Sequence, residues 1–381
     1  MTDKISVTVD GRALTLTNLS KVLYPDDGFT KAEVLDYYQR VSPVLLPHIA
    51  GRPMTLKRYP EGVDGESFFQ KHAPAGTPDW VQTSDIESRS SRSRDPGGTV
   101  THVVIDDLPT LMWAANLASL ELHVPMWKVA GSAGGHRPDP DLLVFDLDPG
   151  TPATIVECCR VAEALRPLLA EAGLAPLPKT SGGKGLQLYA KVSGLDADQA
   201  SEQAKGFAQA LEHDHADLVT SRMTKSLRPG KVLIDWSQNN GSKTTIAPYS
   251  LRARAHPTVS TPVTWDEVAA CQRPEDLVFT AADVPDRVTE LGDLWQSLLL
   301  ELHVPAPLGD HEQRVCGQRG IVGDAAAADH LLEDGAADPV LAHVLLFWLA
   351  VRAAGHEVGG QEVVGPLGGH AVRGRQAAQR G

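Results

Sequence analysis

The sequence predicts an α/β (α+β) fold in which a mixed or antiparallel central sheet is flanked by helices. Short apolar segments typical of buried strands recur along the chain, at Leu142–Phe145, Leu186–Lys191 and Val232–Trp236. Segments with apolar residues at helical spacing lie before and between them, at Thr30–Ile49, Thr154–Ala172 and Asp198–His213. A sheet covered by helices accommodates both kinds of segment.

The length of 381 residues is enough for roughly two or three domains. A hydrophobic content of 42% and a charged content of 22% are those of a folded protein and exclude global disorder. We expect a catalytic domain over residues 1–300. Residues 301–381 form a tail whose fold the sequence does not predict, because the chain becomes rich in Gly, Ala, Val and His from about Gly309.

The net charge of −13 argues against a generic nucleic-acid coat, but the charges are segregated. Residues 218–256 carry seven Lys or Arg side chains against the single acid Asp235, and residues 257–301 reverse this balance. This pattern favours a localised anion site.

The cysteines and the apolar runs predict a reduced, cytoplasmic protein that does not enter a membrane. The four cysteines form no C-x-x-C pair, and no secretory segment is present at the N-terminus. The longest apolar run, residues 340–351, is too short to span a bilayer.

The N-terminal region predicts a hairpin followed by a capped helix. Two short strands flank Asp10 and Gly11, and Thr30 with Glu33 matches a capping box. Lys21 and Lys31 flank the start of this helix, where backbone N–H groups favour an anion. The alternative is that both lysines are merely solvated.

The next region contains adjacent aromatic residues, Phe68 and Phe69, which should face opposite sides of a strand. One can enter the core while the other faces solvent or a base, although burial of both remains an alternative. Further along we expect a mobile loop at Ser88–Gly98, a helix at Pro109–Leu120 and a strand at Leu122–Trp127.

The apolar strand Leu142–Phe145 leads into the sequence Asp146-Leu147-Asp148 and a Pro-Gly turn. Residues two apart lie on one face of a strand, so the two carboxylates should lie side by side. They repel each other unless a cation lies between them, and a divalent metal suits this role. The alternative is a solvated acidic turn.

Two later segments add groups that suit a polyphosphate. Residues 181–185 form a turn in which three glycines accompany Ser181 and Lys184, although the Walker A spacing is absent and a plain glycine hairpin is an alternative. Asp235 closes a second apolar strand and is followed by Gln238, Lys243, Arg252 and Arg254. Together with the two earlier carboxylates, these residues predict a site for metal-assisted phosphoryl transfer.

The chain resembles the polymerase domain of bacterial ATP-dependent DNA ligase D, a member of the archaeo-eukaryotic primase superfamily. The resemblance runs from about Asn18 to about Pro257. It is carried by the ordered blocks NLSKVLYP, TKAEVLDYY, LPHIAGRP, SFFQKH, LELHVP, LVFDLDPG, TSGGKGLQLY and VTSRMTKSLRPGKVLIDWSQNNGSKTTIAPYSLRARAHPT.

The resemblance implies a role for each matching residue. Asp146, Asp148 and Asp235 would bind two catalytic metal ions, with manganese preferred over magnesium. The incoming NTP or dNTP would be bound by Lys57, Phe68 or Phe69, His123, Ser181, Lys184, Arg228, Gln238 and Arg252. Lys21 and Lys31 would bind a 5′-phosphate at a DNA break.

The resemblance also implies an activity and partners. The enzyme would add nucleotides, preferably ribonucleotides, to primer 3′ ends at gapped or overhanging DNA breaks in non-homologous end joining. The end-binding protein Ku and a separate DNA ligase would be its partners, since no ligase or nuclease block is recognised in this chain.

One position departs from the family pattern. Gln187 stands where the family's second motif has a histidine. The resemblance therefore implies that Gln187 also binds the nucleotide, but with a neutral amide in place of a group that can carry charge toward the triphosphate.

Two other functions remain open at this point. The first is a DNA-end-binding module with weak or no catalysis. The second is a haloacid-dehalogenase-type phosphatase, which also uses an Asp-x-Asp sequence.

Overall fold

The computed structural model describes residues 4–87, 98–129 and 137–300. The helices are α1 (Lys31–Ile49), α2 (Leu108–Asn116), α3 (Ile155–Glu171), α4 (Ala197–Asp214), α5 (Trp265–Ala270) and α6 (Val284–Leu291). The strands are β1 (Lys4–Val9), β2 (Arg12–Thr17), β3 (Val22–Tyr24), β4 (Phe29–Thr30), β5 (Thr55–Arg58), β6 (Phe68–Gln70), β7 (Thr83–Glu87), β8 (Thr99–Val103), β9 (Ser119–Val124), β10 (Leu142–Pro149), β11 (Leu177–Thr180), β12 (Leu186–Lys191), β13 (Val219–Thr220), β14 (Val232–Asp235) and β15 (Thr245–Ile246).

Two larger sheets organise the fold. The first has the strand order β11-β12-β10-β14-β13 and is antiparallel except for the parallel pair β13 and β14. The second has the order β15-β9-β5-β6 and is antiparallel throughout. The predicted mixed sheet flanked by helices is therefore confirmed.

Each larger sheet packs against its own helices. One apolar core joins α1 and α2 to the strands β5 and β9, and a second joins α3 and α4 to the sheet around β10. Within β10, Leu143, Phe145 and Leu147 face the second core, which leaves Asp146 and Asp148 on the opposite face.

Several boundaries follow from caps that the sequence contains. Thr30 and Glu33 form the predicted capping box at the start of α1, and Thr154 and Glu157 form another at the start of α3. Each box satisfies backbone N–H groups that the first turn of a helix leaves without partners.

The region around residue 118 corrects three predicted boundaries, which belong to one helix and one strand. Helix α2 ends at Asn116 rather than Leu120, because Ala118 adopts a left-handed conformation with φ of 57° that a helix cannot continue through. Strand β9 therefore begins at Ser119 and ends at Val124, since Pro125 has no N–H to donate to a neighbouring strand.

Two further predictions are only partly covered by the described residues. Three cysteines, Cys158, Cys159 and Cys271, are buried free thiols, while Cys316 lies outside the described residues. Most of the loop Ser88–Gly98 and the whole tail 301–381 also lie outside them. Across the described part of the chain, the helices are too short or too polar to cross a bilayer.

Candidate active site

Three carboxylates come together where β10 and β14 pair. Asp146 lies directly opposite Asp235 in the antiparallel register, and Asp148 follows two residues later on the same face. Their ligand atoms all lie within 4.8 Å of one another. Three carboxylates at this separation form a donor set that suits a hard divalent cation.

The carboxylates repel one another. Burial, followed by the charge of Asp148, raises the pKa of Asp146 to about 7. Burial and the charge of Asp235 also raise the pKa of Asp148, although Arg228 and Arg252 act in the opposite direction. The protein's own cations therefore leave part of this negative charge uncompensated, and a metal ion would supply the remainder.

Neighbouring amides orient two of the carboxylates. Gln187 Nε2 donates to Asp146 Oδ1 over 2.9 Å, and Gln238 Nε2 donates to Asp235 Oδ2 over 2.8 Å. Ser237 donates both its backbone N–H and its hydroxyl to Asp235 Oδ1. The two glutamines were predicted to contact the nucleotide, and in the structure their N–H groups donate to two of the clustered carboxylates.

An open cleft with a volume of about 390 Å³ lies over Asp146 and Asp148. This volume is within the range of small-molecule sites, about 300–1,000 Å³. Most of the residues predicted to bind metal or nucleotide line it: His123, Asp146, Asp148, Ser181, Lys184, Gln187, Arg228, Gln238 and Arg252.

The glycine turn contributes a hydroxyl to this cleft. Ser181 Oγ accepts hydrogen bonds from the N–H groups of Gly183 and Gly185, so its own hydrogen remains available to donate to a ligand. Gly182 has a φ of 64°, and a Cβ there would lie 2.5 Å from Arg252 Cγ. Glycine therefore allows the turn to approach Arg252 closely.

A buried carboxylate that sequence reasoning missed, Glu121, anchors the basic side of the cleft. Its side chain is only 3% exposed and contacts His123 Nε2 at 2.9 Å, Arg252 Nε at 3.6 Å and Lys57 Nζ at 3.9 Å. Burial opposes its ionisation, but the hydrogen bond from His123 and the nearby charges of Arg252 and Lys57 lower its pKa to about 2. The only sequence signal was an acid inside an apolar strand.

The two adjacent phenylalanines contact different side chains, but neither predicted arrangement, one ring in the core or both rings buried, is found, because Phe68 is 45% exposed and Phe69 is more exposed still. Phe69 is 59% exposed, packs edge-on against His123 and lies under Lys57 Nζ at 5.3 Å. Phe68 instead lies under the guanidinium of Arg58 at 5.3 Å. Phe69 is thus the phenylalanine that adjoins the cleft, through its contact with His123.

Lys21 and Lys31 lie away from the cleft lining. Lys21 Nζ pairs with Glu61 Oε2 at 2.7 Å, and Lys31 Nζ donates to the carbonyl of Thr17 at 2.6 Å. Burial, together with repulsion from Lys21 and Arg58, lowers the pKa of Lys31 to about 8. The structure thus brings these charges near one another but engages both ammonium groups with the protein.

This chain is similar to known proteins over most of the described residues. Residues 30–295 match the family model described as LigD, primase-polymerase domain. The multifunctional non-homologous end joining protein LigD of Mycolicibacterium smegmatis is 46% identical over 296 residues, which are 77% of this chain and 37% of that protein. The bifunctional non-homologous end joining protein LigD of Bacillus subtilis is 32% identical over 281 residues, 73% of this chain and 43% of that protein.

A solved structure is also similar. The polymerase domain of Mycobacterium tuberculosis ligase D in complex with DNA is 47% identical and matches with a TM-score of 0.70, covering 75% of this chain and 98% of that domain. The chain therefore spans well under half of the curated relatives, but nearly the whole of the isolated polymerase domain.

Proposed function

Because this chain belongs to the family of LigD primase-polymerase domains, with the fold of archaeo-eukaryotic primases, we propose that it catalyses metal-dependent nucleotidyl transfer to primer 3′ ends at DNA breaks. The observation that carries the proposal is the cluster of Asp146, Asp148 and Asp235 beneath a cleft lined with cations. The family match over residues 30–295 does not support the phosphatase alternative.

The three aspartates would hold the catalytic metal, and manganese is the ion we propose. When bound, divalent ions would favour ionisation of the primer hydroxyl and stabilise negative charge on the transferring phosphate. The oxygen ligands and the raised pKa of Asp146 fit such a group, because metal binding removes the repulsion between neighbouring carboxylates.

The chain's other residues would hold the nucleotide. Lys184, Arg228 and Arg252 line the cleft and would neutralise the triphosphate, while the Ser181 hydroxyl would donate to a phosphate oxygen. The exposed ring of Phe69 would stack on the base. Most of the catalysis would then come from positioning and from electrostatic stabilisation.

Primer extension tests this function. Wild-type protein with Mn²⁺ and nucleoside triphosphates should extend a labelled primer, whereas Asp235→Asn should lose at least roughly a hundredfold in rate, a few kcal/mol of barrier. The exposed Asp217→Asn is a matched control that should retain wild-type activity. DNA binding without extension by the wild type would favour the end-binding alternative, and normal extension by Asp235→Asn would contradict the three-carboxylate site.

We propose further that ribonucleotides are preferred over deoxyribonucleotides, and that Ku and a DNA ligase act with this domain on broken ends. These proposals rest on the family and on the names of the curated relatives, which are non-homologous end joining proteins. Parallel extensions with NTPs and dNTPs, with and without purified Ku, test them. Equal rates with both sugars, or an unchanged rate with Ku, would contradict the corresponding proposal.

A 5′-phosphate is proposed to bind at Lys21 and Lys31. The proximity of their charges to each other and to Arg58 supports this, because an anion would offset their repulsion. Binding would require Lys21 to exchange Glu61 for the phosphate.

Extension of gapped DNA with and without the 5′-phosphate checks this proposal. The wild type should prefer the phosphorylated substrate, and Lys21→Ala/Lys31→Ala should lose the preference while the exposed Arg160→Ala keeps it. No preference in the wild type would refute it.

A further inference from the structure

A fully buried lysine lies directly behind the metal-site carboxylates. Lys179 is 0% exposed and is paired with Gln187 in the antiparallel register of β11 and β12. Its ammonium group donates to Gln187 Oε1 at 2.5 Å and to Ser260 Oγ at 2.6 Å. None of the functions assigned above accounts for a buried amine in this position.

The hydrogen bonds around Lys179 determine which way the Gln187 amide points. The Ser260 hydroxyl donates its hydrogen to the carbonyl of Thr180, so its oxygen can only accept from Lys179. Lys179 Nζ donates to Gln187, so the Gln187 atom that faces it is the oxygen. Burial lowers the pKa of Lys179 well below its usual value, whereas the charge of Asp146 favours the protonated amine. Tyr189 supports this arrangement, because its hydroxyl lies 3.4 Å from the same Gln187 oxygen.

Once the oxygen of Gln187 faces Lys179, its N–H₂ group must face Asp146. Gln187 Nε2 donates to Asp146 Oδ1 over 2.9 Å, and Gln187 is itself only 3% exposed. The reversed amide would place its N–H₂ against an ammonium group and its oxygen against a carboxylate, which opposes both contacts. The lysine and the glutamine therefore form a directed chain of hydrogen bonds that ends on a metal-binding oxygen.

We propose that Lys179 is a positioning residue for the metal site, which acts through Gln187 to hold Asp146 in the orientation that binds a divalent ion. This inference rests on the proposed function and deepens it. Partners behind a metal ligand are known to orient it, and removing one typically lowers metal affinity by about 10–100-fold. The proposal also gives a role to Gln187, the position at which this chain departs from its family. The Gln187 amide can orient Asp146 only while a hydrogen-bond donor faces the Gln187 oxygen.

Metal binding by the full chain tests the proposal without depending on catalysis. The probe is Mn²⁺, titrated by calorimetry against wild type, Lys179→Met, Gln187→Met and the double variant, with a nucleoside triphosphate present and no primer. Methionine preserves the apolar bulk of either side chain and removes its hydrogen bonds. Arg160→Met, which removes one positive charge from the exposed face of α3, is the control for net charge.

Lys179→Met and Gln187→Met should each weaken Mn²⁺ binding by about tenfold, and the double variant should bind no more weakly than Gln187→Met. Arg160→Met should bind like the wild type. Unchanged affinity in Lys179→Met, or effects that multiply in the double variant, would overturn the proposal, because they would show that the lysine does not act through Gln187.

If Lys179→Met does not fold, the Mn²⁺ affinity of Gln187→Met tests the proposal. Wild-type Mn²⁺ affinity in Gln187→Met would overturn it. Failure of the proposed function is distinguishable: the wild type would then bind Mn²⁺ in these titrations but would not extend a primer.

Discussion

The buried Glu121 and the cluster of Asp146, Asp148 and Asp235 lie near the same cleft and differ in how their charge is balanced. Glu121 on β9 is surrounded by Lys57, His123 and Arg252, and its pKa falls to about 2 despite its burial. Asp146 lies beside Asp148 and Asp235, and burial with the charge of Asp148 raises its pKa to about 7. Glu121 has its counter-charges within the protein, whereas the aspartate cluster could bind a cation from solution.

The difference in charge balance gives Glu121 and the aspartate cluster different effects on the stability of the fold. A buried carboxylate with basic partners stabilises the fold and holds those partners in place, while clustered carboxylates destabilise the fold until a metal binds. Arg252 joins the two regions, because it contacts Glu121 and its charge also acts on Asp148. Glu121 therefore holds the Arg252 side chain in the cleft, where the charge of Arg252 acts on Asp148.

The largest expected effect is on Glu121. Glu121→Gln removes the counter-charge of several buried basic groups and should lower the free energy of unfolding by about 3 kcal/mol near neutral pH. Because the folded-state pKa is lowered, this contribution is present above about pH 4.5 and is lost as the pH falls toward about 2. Urea denaturation measures this free energy of unfolding, with the exposed Glu202→Gln as the control. Equal stabilities of the two variants would contradict the conclusion that Glu121 is stabilised by its basic partners.

Asp146→Asn should raise the free energy of unfolding of the metal-free protein, whereas Glu121→Gln lowers it. The folded-state pKa is raised, so the folded state binds more protons than the unfolded state, and wild-type stability should fall as the pH rises from about 4 to about 7. The variant should therefore be more stable at pH 8 by about 1–2 kcal/mol, a figure discounted because the site opens onto solvent. Thermal melts in EDTA at pH 4 and pH 8 measure this, and a variant less stable than wild type at pH 8 would contradict it.

The smallest expected effect concerns the base. Phe69 lies against Lys57 and His123, both held by Glu121, whereas Phe68 lies against Arg58. Phe69→Ala should raise the nucleotide KM by about fivefold, about 1 kcal/mol, the lower end of base-stacking energies for so exposed a ring. Phe68→Ala is the matched control and should stay within about twofold. Steady-state nucleotide titrations measure both KM values. Equal increases in Phe69→Ala and Phe68→Ala would show that the residues held by Glu121 do not position the base.

The sequence predicted that the three carboxylates stand at strand ends because the signals for this placement are local. Asp146 and Asp148 follow an apolar strand at a spacing of two, and Asp235 closes another apolar strand, so each carboxylate could be assigned to a strand end without tertiary information. The capping box of Thr30 and Glu33 was predictable for the same reason.

The roles of Glu121 and Lys179 could not be predicted, because their partners lie far away in the chain. Glu121 contacts Arg252, Lys179 contacts Ser260, and neither pairing has a sequence signature. A merely solvated Lys31 was the alternative to phosphate binding, but the hairpin of β1 and β2 places the carbonyl of Thr17 beside its ammonium group. Such contacts arise from tertiary packing and are not visible in a local pattern.

The most direct test of the account is the effect of Mn²⁺ on thermal stability at pH 8. Metal should raise the Tm of the wild type and of Glu121→Gln by similar amounts, because the second variant retains the three aspartates, and should raise that of Asp146→Asn far less. An equal rise in Asp146→Asn, or no rise in the wild type, would contradict the conclusion that the aspartate cluster is the site that requires a cation.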